Sequence, residues 1–134
     1  MTRNIFRWLL AAAYAAAGYL HLAAPDGFLS ITPVWVLFPE AVVFWTGIAE
    51  LLGAIGLVQP ISTRLRSAAG VCLALYAACV FPANINHFIM DMARPDTGLG
   101  LAYHVPRMFL QPVLIWLALW VGGTIEWPFR HETR

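Results

Sequence analysis

The chain has 134 residues, of which 60% are hydrophobic and only 11% charged. That charged fraction is about half of what a soluble domain carries, too little polar surface to cover a water-exposed fold of one-domain size. Eight arginines and no lysine stand against seven carboxylates, and a net charge of +1 leaves no basic footprint for nucleic acid. The bilayer is the solvent that suits this composition.

Four apolar stretches, 8–24, 39–58, 65–90 and 106–123, are each long enough to cross about 30 Å of hydrocarbon. Arg3 and Arg7 ahead of Ala15-Ala16-Ala17 imitate a cleavable leader. The apolar run continues past those alanines to Ala24, so the first stretch is read as a retained span. The connection from Pro25 to Pro39 is unusually apolar and is expected to lie in the interface as a lid. Cys72 and Cys79 share the third stretch, about 10 Å apart along a helix and too far for a disulfide. They read as two small buried hydrophobes. Pro82 in the same stretch predicts a kink. The fourth stretch is expected to open with Pro106 as the first residue of its helix.

Arginine placement gives a direction. Arg3, Arg7, Arg64, Arg66, Arg130 and Arg134 fall on one side of the four spans, and only Arg94 and Arg107 on the other. Six against two predicts both termini in the cytoplasm. Trp8, Trp35, Trp127 and Phe129 fall near predicted interfaces, where amphipathic rings anchor a helix. The fold class expected is all-α: a single domain over 1–134, an integral membrane four-helix antiparallel bundle running up-down-up-down. Ala11, Ala15 and Gly18 on the first span and Gly47, Gly53 and Ala54 on the second mark where helices should touch.

Ionisable and amide side chains inside a span are costly and mark sites by default. Here they are His21, Glu50, Asn84, His87, Arg107 and Gln111. At about 1.5 Å per residue, Glu50 lies about 15 Å below the outer boundary, Asn84 about 9 Å, Gln111 about 7 Å, and His21 and Arg107 near it. Thr46, Glu50 and Gly53 share one helical face, as do Tyr14, Gly18 and His21. Asn84 and His87, and Arg107 and Gln111, form the matching pairs on the other two helices. The simplest bundle points these stripes at a common ligand-binding cavity, with His21 at its mouth.

Arg107 in a first helical turn needs an anion against the helix dipole, and Glu50, Asp91 or Asp96 could supply it. The plainer readings are a snorkelling arginine on a lipid phosphate, a protonated Glu50 bonding helix to helix, and histidines bonded to backbone. Two histidines on different helices could hold haem or zinc, but no compact ligand motif is present and no metal site is expected.

These polar positions fall within short motifs: Ala17-Gly18-Tyr19-Leu20-His21 with Pro25, Ile31-Thr32-Pro33, and Gly47-Ile48-Ala49-Glu50-Leu51-Leu52-Gly53. Thr63-Arg64, Val80-Phe81-Pro82-Ala83-Asn84-Ile85 and Arg107-Met108-Phe109-Leu110-Gln111 continue the series. In order and spacing the set resembles the DoxX-like family of small bacterial four-helix membrane proteins. Phe109 departs from the proline that relatives commonly carry, and Pro112 follows three residues later. The resemblance implies the bacterial cytoplasmic (inner) membrane and a link to quinones or redox partners, as in the membrane subunit of a quinone-linked oxidoreductase.

Two functions remain open on the residues alone. One is a membrane protein whose pocket takes a lipophilic small molecule such as a quinone headgroup. There Arg107, Gln111 and Asn84 would donate to carbonyl oxygens while Glu50 and His21 relay protons. The other is a scaffold or assembly partner whose polar stripes only hold the bundle together and whose outer loop binds another membrane protein. A transporter is less suited, since four short spans show no broken-helix pairs.

Overall fold

Alanine and leucine, the residues that lose least on entering a helix, dominate the apolar stretches. The structure, a computed structural model describing residues 1–127, is helical across all four of them. Five helices follow in order: α1 Thr2–Ala23, α2 Asp26–Ile31, α3 Pro39–Val58, α4 Thr63–Met92 and α5 Leu101–Gly122. No strand occurs among the described residues. Arg130, Arg134 and Phe129, used above for direction and anchoring, lie outside those residues.

α1, α3, α4 and α5 are each long and apolar enough to cross a membrane. α1 packs on α3, α3 on α4, α4 on α5, and α5 returns to α1, so the four close a ring. Leu57, Leu73, Ala118 and Val121 fill its centre. The outside carries Trp45, Leu52, Ile55 and Phe109, between 62% and 72% exposed. Apolar surface of that extent on a water-facing monomer would drive association, whereas hydrocarbon accepts it.

Glycine sets the tightest approach between α1 and α3. A Cβ on Gly18 would stand 2.7 Å from the Gly47 carbonyl oxygen, and one on Gly47 would stand 2.8 Å from His21 Cβ. Only hydrogen at both positions lets the backbones come this close.

Two expectations need correction. α5 starts at Leu101, so Pro106 lies inside the helix instead of opening it. Gly100 caps it, φ 72°, and its carbonyl accepts the Tyr103 and His104 amides. Pro106 removes one main-chain bond, which the helix absorbs. The first half of the Pro25–Pro39 connection is the short helix α2. Finally, Cys72 and Cys79 are free and exposed. The buried stripe of α4 runs through Ala69, Gly70, Leu73, Ala74 and Ala77, which leaves both cysteines off the core.

The last turn of α5 shows how the ring is sealed. A helix ends with four carbonyls that lack partners within it. Here Leu119 accepts from Thr124 N and Trp120 from Gly123 N. Val121 accepts from Arg7 Nε at 3.0 Å and Gly122 from the Ser67 hydroxyl at 2.9 Å. Arg3 adds a bond to the Ile125 carbonyl and lies over the Trp120 ring. Side chains of α1 and α4 therefore complete α5.

Candidate functional site

At the α2 end of the ring the helices leave a cavity of about 340 Å³. Most of its wall is apolar. Phe28, Ile31, Pro33, Trp35 and Val36 line it from α2 and the segment after it, and Asn86 of α4 ties α2 down through the Ile31 carbonyl at 2.9 Å. His21, Glu50, Asn84, Arg107 and Gln111 all line this one space. His87 does not.

Glu50 is 3% exposed on the inward face of α3. Its Oε2 lies 2.8 Å from Nδ1 of His21, and that nitrogen is also 2.9 Å from the Ala17 carbonyl. Nδ1 carries at most one proton and faces two acceptors. Given to Ala17, the proton leaves Glu50 Oε2 buried without a hydrogen bond; given to Glu50, it leaves the Ala17 carbonyl with its helical amide partner alone. A protonated Glu50 could instead donate to a bare Nδ1. Phe28 stacks on the imidazole at 3.6 Å between ring centres. Tyr76 sits within hydrogen-bonding reach of Glu50, and Tyr14 meets Tyr76 edge-on with its own buried hydroxyl unpartnered.

This contact corrects two expectations. His21 does not stand at the mouth above Glu50; the two meet at one level. Depth counted along each helix holds only where all the helices begin and end in common planes. α1 instead stops at Ala23, and α2 and the chain to Phe38 fill the level above. Nor is Arg107 the partner of Glu50. Its NH1 donates to Nδ1 of His87 at 3.0 Å, and its guanidinium lies 5.5 Å from the Tyr103 ring centre.

Asn84 and Gln111, expected to face a ligand as donors, are bonded largely to the protein. Asn84 Nδ2 donates to Gln111 Oε1 at 3.0 Å, and Gln111 Nε2 donates to the Ala77 carbonyl. Ala77 lies just over a turn before Pro82 and next to Ala78, whose carbonyl the proline leaves without a helical donor. The two amides staple α4 to α5 beside that position.

A second polar cluster adjoins the cavity. His104, fully buried, directs Nε2 to Asp91 Oδ2 at 2.9 Å. The same oxygen accepts Leu99 N–H at 2.9 Å and lies 3.5 Å from His87 Nε2. Gly98, at φ +51°, passes so close to the carboxylate that a Cβ would fall 2.3 Å from Asp91 Cγ. His104 was not singled out in the sequence because it precedes Pro106. It nevertheless extends the Arg107–Gln111 stripe at helical spacing, as Tyr76 extends that of Asn84 and His87.

His87, Asp91 and His104 bring ligand atoms within 4.8 Å of one another, the composition of a metal centre. Their hydrogen-bond directions suit protons better. Arginine can only donate, so His87 Nδ1 accepts and its proton belongs on Nε2, where an ion would bind. An ion on His104 Nε2 would put a proton on Nδ1, which is buried without an acceptor.

A family model for a domain of unknown function, DUF8561, matches residues 10–122. The chain belongs to that family. The matched region holds the cavity from Tyr14 to Gln111 together with the Asp91 cluster, and leaves Arg3 and Arg7 outside it. No curated protein and no solved structure matches the chain.

Proposed function

We propose that this DUF8561 chain is a multi-pass membrane protein that binds a lipophilic small molecule in the cavity beneath α2. The topology proposed is an antiparallel bundle in a bacterial inner membrane, with both ends cytoplasmic and α2 on the outer side. The observation that carries the ligand reading is a mostly apolar cavity of about 340 Å³ reaching Glu50, in which the Tyr14 hydroxyl has no protein partner. Small-molecule sites are built this way, with an apolar wall and a few convergent polar groups. Arg107 can donate to a carbonyl oxygen at one part of the wall, and Glu50, Tyr14 and Tyr76 can exchange protons with a hydroxyl at another. A quinone-type headgroup meets both demands, and the resemblance to DoxX-like proteins supports the same choice.

The scaffold reading draws on one observation, the Asn84–Gln111 staple, whose polar groups are spent on holding helices together. Lipid extraction and mass spectrometry of the purified protein separate the two. A quinone-class molecule should co-purify with the wild type and be depleted by Thr46→Leu, which fills part of the cavity. Bulk phospholipid alone, in equal amount from both, would leave the scaffold.

A further inference from the structure

Arg107 contributes to the cavity wall, and what holds it lies outside that wall. Its NH1 donates to His87 Nδ1 at 3.0 Å, while His87 Nε2 faces Asp91 Oδ2 at 3.5 Å. Asp91 is itself fixed by Leu99 N–H and by His104, with Gly98 pressed against it. We propose that His87 is a proton-sensitive latch that sets where Arg107 points, and so regulates ligand binding from the outer aqueous side. This rests on the ligand-binding reading above.

The chemistry is that of a single lone pair. An imidazole with its proton on Nε2 donates to Asp91 and offers Nδ1 to the guanidinium. A second proton turns Nδ1 into a donor and places a positive ring 3.0 Å from a positive guanidinium. Asp91 stabilises the charged ring from the other side, so the strain falls on Arg107, which must leave. The groups facing His87 are Asp91 on its own helix and Tyr103, His104 and Arg107 on α5. Arg94 adds a charge 3.9 Å from the far oxygen of Asp91. Among the described residues no charged contact reaches His87 from α1, α2 or α3. The His87 side chain is 18% exposed and open to protons, whereas that of His104 is at 0%.

The test uses the full chain in lipid nanodiscs and a decyl-tailed benzoquinone as probe. Between about pH 8 and about pH 4, a window carried below the ordinary imidazole range because burial and the Arg107 cation at 3.0 Å both oppose a charged ring, wild-type affinity should fall about tenfold through loss of one charged hydrogen bond. His87→Gln keeps an oxygen acceptor that does not titrate and should abolish that fall. A fall unchanged in His87→Gln, or a wild type that binds equally at both ends, overturns the latch. Nitrogen-15 spectra of the histidines test the same device without ligand. At about pH 8, His87 Nδ1 should be unprotonated, and Arg107→Met should move its signal. A protonated Nδ1, or one indifferent to Arg107→Met, overturns the latch. So does zinc that survives chelation in the wild type and is lost in Asp91→Asn. A probe that binds at neither pH overturns the ligand reading, and the spectra then decide the latch alone.

Discussion

His21 Nδ1 and Glu50 Oε2 meet at 2.8 Å, although His21 stands two residues from the end of its helix and Glu50 near the middle of another. The contact requires α1 to finish inside the bundle. It also explains why α2 exists at all: the level that α1 vacates is filled by Phe28 stacked on the imidazole. The close approach of Gly18 and Gly47 brings the two polar groups within reach.

This pairing changes which double mutant should show coupling. His21→Gln and Glu50→Gln, alone and together, should give a coupling of about 1–3 kcal/mol in thermal unfolding in detergent, as groups in direct contact do. Glu50→Gln with Arg107→Gln should be additive within about 0.5 kcal/mol, since the two share no contact. The opposite pattern would reinstate Arg107 as the counter-ion of Glu50.

Two glycine substitutions should move stability in opposite directions. Gly47→Ala places a methyl 2.8 Å from His21 Cβ and 3.1 Å from the Gly18 carbonyl, and should cost about 1–3 kcal/mol through overpacking. Gly27→Ala in α2 meets nothing within 4 Å and should be neutral or stabilise by up to about 1 kcal/mol. Melting temperatures of the two variants check both. A harmless Gly47→Ala would mean that α1 and α3 are not pressed together there.

The two thiols should differ in their response to ligand. Both are exposed, but only Cys79 lines the cavity. A membrane-permeant maleimide, followed by mass spectrometry of the intact protein, should label both. Added quinone probe should slow labelling at Cys79 and leave Cys72 unchanged. Equal protection of both, or of neither, would place the probe elsewhere.

Much of the architecture was legible because hydrocarbon-length apolar runs have few alternatives. Residues 39–58 coincide with α3, and the Thr46–Glu50–Gly53 face does point inward. What composition could not reveal was relative height. Helix length along the sequence says nothing about how far one helix slides past its neighbour, so His21 and Glu50 were separated on paper and touch in space. Pro106 misled for a different reason. A proline at a plausible first position hid the turn before it, and with it His104 and the network around Asp91. The amides of Asn84 and Gln111 do face inward, but residue type alone does not tell whether an amide serves a ligand or a neighbouring helix. The cysteines were misplaced because a small apolar residue suits lipid as well as a core.

The seam where Arg7 reaches the Val121 carbonyl joins residues 114 positions apart, the first long helix to the last. On a ribosome it is among the last of the contacts between helices that can form. Until α5 has been made, the side of α1 that meets it is uncovered, and the Arg7 Nε and Arg3 guanidinium lack the carbonyls they bond in the finished ring. In the proposed topology the same two residues therefore act at two moments of biogenesis. While α1 is alone they are the charges that orient it in the membrane; once synthesis is complete, they become the clasp that shuts the ring. A fusion or truncation that disturbs Arg3 or Arg7 would touch insertion and closure together, and only a readout timed to the end of synthesis could tell the two apart.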